Sequence, residues 1–173
     1  TWGKFHSSRV SHDLGFACEI ALKKTVERML GIDKSQLELM RKMQAGATQS
    51  PAAGLKGLRT FCDELPQWAE LDDARPHLEY VDNMIIKFGT GGGFFRDHFA
   101  HFMHWAADQR PDLISSTTVK LAEQAASEWN QLSPTLQQLA QDTNNSALWS
   151  QAAEQAIDIY ETEYSLFGHL ADT

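Results

Sequence analysis

Asp97, His101, His104 and Asp108 stand at i, i+4, i+7 and i+11 in the stretch RDHFAHFMHWAAD. At about 100° per helical residue they fall on one stripe roughly 60° wide. Two imidazoles and two carboxylates on one stripe could bind Zn²⁺ or another divalent metal, given a further ligand from a second helix. The same pattern is that of the solvated face of an amphipathic helix. Phe95, Phe99, Phe102, Met103 and Ala106 make the opposite face apolar and mark it as core. The spacing is not that of a HExxH motif, and no second ligand cluster stands out along the chain.

Immediately before this stretch runs Gly89-Thr90-Gly91-Gly92-Gly93-Phe94-Phe95-Arg96, with four glycines in five residues. Glycine allows φ > 0 and close approach of another backbone or a ligand. A glycine-rich turn at a helix N-terminus also presents free N–H groups and the positive end of the helix dipole, which suits an anion. The plainer reading is a helix C-cap followed by a tight helix–helix corner. The functional one is an anion or cofactor contact through Gly89, Thr90, Gly91, Gly92, Gly93 and Arg96. On that second reading Arg96→Ala weakens binding without unfolding the domain.

Nucleophilic chemistry has little support. A reactive cysteine needs an exposed thiolate near a base or a helix N-terminus. Cys18 and Cys62 sit in apolar-periodic segments and read as reduced, buried core residues. Asp63 and Glu64 beside Cys62 would raise its pKa. An N-terminal Thr1 nucleophile needs a surrounding sheet, and no sheet is expected. Tyr160 and Tyr164, with Glu161 and Glu163, could make a polar site, but helical spacing places the tyrosines in the core.

The elements that must position these groups are helices. Asp13 caps a helix to about Leu30, with Leu14, Ala17, Cys18, Ala21, Val26 and Met29 along one side, ended by Gly31. A weaker helix covers about Lys34–Met43, and Gln44–Ala53 is the most loop-like stretch. Leu55–Glu64 is a short helix, and Pro66 opens another short one that holds Trp68. Asp72 or Asp73 caps a helix with Leu78, Val81, Ile85 and Phe88 inward. After the glycine corner a helix runs to about Gln109, stopped by Pro111. Ser115 or Ser116 caps the next, with Val119, Ala122, Ala126 and Trp129 inward, and Pro134 should kink or split it near Leu132–Ser133. The last, about Ser146–Leu170, carries Trp149, Ala153, Ala156, Tyr160, Tyr164 and Phe167 on one stripe, with its acids elsewhere. No run of alternating β-branched residues appears. The expected fold is all-α: an irregular bundle of five to seven helices in a single domain over residues 1–173, with residues 1–11 as an extended lead-in.

Bulk properties narrow the function classes. The 173 residues suffice for one real core. The net charge of −8 argues against nucleic acid as the main partner. Charge is unevenly spread, with residues 1–60 at net +5 and residues 61–173 at net −13. An acidic partner would be steered to the first third. No apolar run approaches a membrane span, and no signal-peptide pattern is present, so a cytoplasmic location is expected. With Thr1 first and no Met, the chain reads as a fragment, a processed form or a renumbered sequence.

Four segments together resemble the C-terminal domain of proteins similar to butirosin biosynthesis protein H. They are ALKKTVERML (21–30), GLKGLRTFCDELPQW (54–68), GTGGGFFRDHFAHFMHWAA (89–107) and ALWSQAAEQAIDIYETEYSLF (147–167). They occur in the right order over most of the chain, and the GTGGG-x-x-R corner is the most specific of them. The resemblance implies an accessory helical domain of an amide-forming acyltransferase, which moves an acyl group from an acyl carrier protein to an amine. It implies an N-terminal cysteine-peptidase-like half that supplies the catalytic Cys and His, so no catalytic residue is assigned to this chain. It also implies acidic residues at positions 101 and 104, where this chain has histidines.

The expected function is therefore that of an acyltransferase accessory domain, inactive alone and without an intrinsic cofactor. Its partners would be an acyl carrier protein and the N-terminal half. The phosphopantetheine arm of the carrier would meet the glycine corner. Two alternatives stand beside it. One is a free-standing ligand- or metal-binding module using Asp97, His101, His104 and Asp108. The other is a structural bundle that forms a homodimer.

Overall fold

The computed structural model describes residues 13–32, 52–88 and 91–172. Six α-helices follow in order: α1 Leu14–Met29, α2 Gly54–Glu64, α3 Arg75–Ile86, α4 Arg96–Gln109, α5 Ser116–Gln141 and α6 Ser146–Ala171. Short 3₁₀ turns at Leu65–Glu70 and Gly93–Phe95 precede α3 and α4. Among the described residues there is no strand, and the fold is all-α. The expected helix at 34–43, most of the loop at 44–53, and the lead-in at 1–11 lie outside the described residues.

The capping signals act largely as read. Asp13 Oδ1 accepts from the Gly15 N–H at 2.9 Å, and Ser115 Oγ accepts from the Thr118 N–H at 3.1 Å. Asn145 Oδ1 accepts from the Leu148 N–H at 3.2 Å and opens α6. Helix α3 differs: its N-cap is Ala74, which offers no side-chain bond, and neither Asp72 nor Asp73 serves. Pro76 in the first turn needs no N–H partner, which lowers the demand for a cap.

Helices α5 and α6 form a long antiparallel hairpin, against which the others pack. Leu132, Leu136 and Leu139 of α5 share one core cluster with Trp149, Ala152 and Ala156 of α6, together with residues of α2 and α3. Val119 and Ala122 share a second cluster with Leu166, Phe167 and Leu170, together with residues of α1 and α4. Tyr160 touches both. The hairpin thus has two apolar ends, one covered mainly by α2 and α3 and the other mainly by α1 and α4, with Leu55 of α2 also in the second.

Several sequence expectations are corrected here. Helix α5 runs unbroken through Pro134. Buried residues on both sides of the proline, Trp129, Leu132, Leu136 and Leu139, hold the helix in place by packing. In α1 the buried residues are Cys18, Leu22 and Val26, while Leu14, Ala17 and Ala21 are exposed. Phe88 and Tyr164 are 59% and 61% exposed, not core. Phe88 lies beyond the end of α3, and Tyr164 points outward beside the half-buried Tyr160. The acids of α6 are not all outside: Glu163 is completely buried.

Candidate functional site: an apolar cavity lined by a buried ion pair

A cavity of about 440 Å³ opens between α2, α3 and the start of α4. Its wall is formed by Leu58, Phe61, Val81, Met84, Ile85, Phe94 and Trp129, with Met29, Tyr80 and the small residues Ala52, Ala53, Gly54 and Gly57 around them. The charged residues in the wall are Arg96 and Glu163. Its size falls in the lower part of the ~300–1,000 Å³ range typical of small-molecule sites, and its lining has the usual mix of apolar side chains and few polar groups.

The glycine corner shapes this wall. Gly91, Gly92 and Gly93 have φ of +69°, +100° and +53°. Phe94 and Phe95 continue the left-handed run at φ +51° and +70°. Left-handed backbone is strained for residues with a Cβ, at about 1–2 kcal/mol each. Tertiary contacts hold it. The Gly93 N–H donates to Asn130 Oδ1 at 2.9 Å, and Asn130 Nδ2 donates to both oxygens of Asp97 at 3.1–3.2 Å. A side chain at Gly92 would collide with the Asp97 carboxylate, and one at Gly91 with the His98 ring. The reward is placement of the Phe94 ring, which lies 5.2 Å from Trp129 in the cavity wall. Gly89 and Thr90 lie outside the described residues.

Arg96 is the first residue of α4 and reaches across to α6. Its Nε donates to Glu163 Oε1 at 2.7 Å and its Nη2 to Oε2 at 2.8 Å. Trp129 Nε1 donates to the same Oε1 at 2.7 Å. The Arg96 side chain is 15% exposed and that of Glu163 is 0% exposed. The two form a bidentate pair inside an apolar wall, where geometry is fixed by the planar guanidinium. The sequence singled out Arg96, and it pointed to Glu163 only beside Tyr160 and Tyr164 and to Trp129 only as a core residue, without joining the three.

The histidine stripe does not converge with this cavity. His101 Nδ1 lies 2.7 Å from its own helix carbonyl at Asp97, and His104 Nε2 lies 2.7 Å from Glu123 Oε1 on α5. Asp97 is engaged by Asn130, and Asp108 is exposed. Among the described residues no group of three or more His, Cys, Asp or Glu side chains is placed to hold a metal ion.

Both cysteines are buried free thiols. The Cys62 thiol donates to the Ala156 carbonyl at 3.0 Å. Burial pushes its pKa up to about 11, against a smaller opposing effect of Arg59. The adjacent Asp63 contributes in the expected direction, but less than burial does. Cys18 is also raised by burial. Neither is a poised nucleophile.

A family model for a domain of unknown function, DUF4872, matches residues 4–170. The chain belongs to the DUF4872 family. None of the curated proteins and none of the solved structures compared with it matches. In this DUF4872 domain, then, the cavity and its ion pair are the most developed chemical feature among the described residues. No described helix is long and apolar enough to cross a membrane.

Proposed function

We infer that this DUF4872 domain is the substrate-holding accessory part of an acyltransferase of the kind its sequence resembles, one that passes an acyl group from an acyl carrier protein to an amine. The observation that carries this reading is the cavity. An apolar volume of about 440 Å³ with one polar spot, Arg96–Glu163, suits a chain that is greasy along its length and polar at one end. The identifying corner of the resemblance, Gly91–Arg96, builds one wall of that cavity through Phe94 and supplies its cation. Catalytic Cys and His residues belong to the N-terminal half in this reading, and the domain alone is inactive. The carrier's phosphopantetheine arm delivers the acyl group, and the basic N-terminal third draws the acidic carrier in.

The test is acyl transfer from carrier-bound thioesters by the full-length parent, with and without this domain and with Val81→Trp. Val81 is half-buried in the cavity wall, so a tryptophan there fills the space. We expect KM for the acyl carrier substrate to rise at least about ten-fold in the filled variant, the equivalent of ~1.4 kcal/mol. Full activity from the N-terminal half alone would remove the case for substrate holding.

A further inference from the structure

We propose that the cavity takes the acyl donor, a neutral chain ending in a thioester or amide carbonyl, and not the amine acceptor; this rests on the acyltransfer reading above. Charge and donor count separate the two. Arg96 and Glu163 neutralise each other through two hydrogen bonds. A ligand carboxylate entering the apolar wall would therefore lose its water without meeting a net positive charge, which is costly. A ligand ammonium meets the same obstacle from the other side. Glu163 is wholly buried, and its oxygens already accept from Arg96 Nε, Arg96 Nη2 and Trp129 Nε1. To reach it, an amine would have to break the buried pair.

What the arrangement leaves over is a donor. Among the described residues Nη1 of Arg96 has no hydrogen-bond partner, while Nε and Nη2 are both used. A guanidinium N–H whose charge is balanced elsewhere is matched by a neutral acceptor such as a carbonyl oxygen. The bidentate grip of Glu163 fixes the plane of the fork, so Nη1 is held in one orientation. The aromatic and aliphatic wall of Phe61, Val81, Met84, Ile85, Phe94 and Trp129 then accommodates the alkyl part.

Three probes of equal chain length separate the possibilities: octanoyl-N-acetylcysteamine, octanoate and octylamine, titrated at neutral pH into this chain and its Val81→Trp variant by calorimetry. We expect the thioester to bind at least about ten-fold more tightly than either charged probe, with that binding lost in Val81→Trp. Arg96→Lys, which keeps a cation for Glu163 but removes the planar fork, should erase the preference for the thioester. Should Arg96→Lys fail to fold, the ranking of the three probes on the unmodified chain decides alone. Octylamine binding most tightly would overturn the assignment while leaving the accessory-domain reading intact. Equal binding of all three, or binding of none, would also overturn it. The accessory-domain reading itself stands or falls on the transfer assay.

Discussion

Arg96 and Glu163 tie the start of α4 to α6 inside the wall of the cavity. On sequence grounds Arg96→Ala should leave the domain folded. The buried pair reverses that expectation, because the alanine variant strands a fully buried carboxylate with Trp129 as its one remaining hydrogen-bond partner among the described residues. Breaking a buried pair by removing one member costs about 3–5 kcal/mol. Urea denaturation of Arg96→Ala should report a loss of that order. Removing both charges, as Arg96→Met with Glu163→Leu, should recover most of it, since apolar replacement of a buried pair is often close to neutral. A double variant as unstable as the single one would show that the pair does not act as a unit. The partner was visible in principle. Ala156, Ile159, Glu163, Leu166 and Leu170 fall at i, i+3, i+7, i+10 and i+14, and all five are buried. A glutamate on that register is a buried charge that needs a cation. What the register does not say is which of the chain's arginines lies opposite.

The glycine corner is a device at the scale of elements. It lies between α3 and α4, and from Gly91 to Phe95 it runs through backbone angles closed to most side chains. At Gly92, φ is +100° and a Cβ would meet the Asp97 carboxylate. Gly92→Ala should therefore lower stability by about 1–2 kcal/mol, read as a shift in thermal midpoint. An unchanged midpoint would mean that the corner relaxes freely and that the Asn130–Asp97 contacts do not hold it. That the run was a corner at the N-terminus of a helix was legible in the sequence, because glycine runs interrupt helices for a local reason. That two phenylalanines would follow the glycines into the left-handed region was not. The run is held to α5 through Phe94 on Trp129 and Gly93 on Asn130, and such contacts are between residues far apart in sequence. Pro134 illustrates the same limit from the opposite side: a local rule predicted a kink or a split, and on the packed α5–α6 hairpin the helix is not split.

At the scale of the molecule, anchoring is uneven. Helix α1 buries three residues, Cys18, Leu22 and Val26, over sixteen positions, whereas α6 buries nine over twenty-six. Leu14, Phe16 and Ile20 of α1 are exposed at 59%, 57% and 40%. Amides of α1 should accordingly exchange with deuterium before those of α5 and α6 under native conditions. Uniform protection across the three helices would contradict the view that the hairpin is the stable frame. The sequence by itself determined the class of the fold, the existence of most of its helices and the position of the corner. Those follow from the 3.6-residue apolar period, from capping side chains and from glycine's lack of a Cβ, all of which act over a few residues. Only the tertiary structure decided that Arg96 meets Glu163, that Trp129 donates to the same carboxylate, that the histidine stripe faces elsewhere, and that α2, α3 and the corner line a cavity. Each of these is a contact between segments tens of residues apart, set by how the helices pack on the α5–α6 hairpin, and no local pattern encodes it.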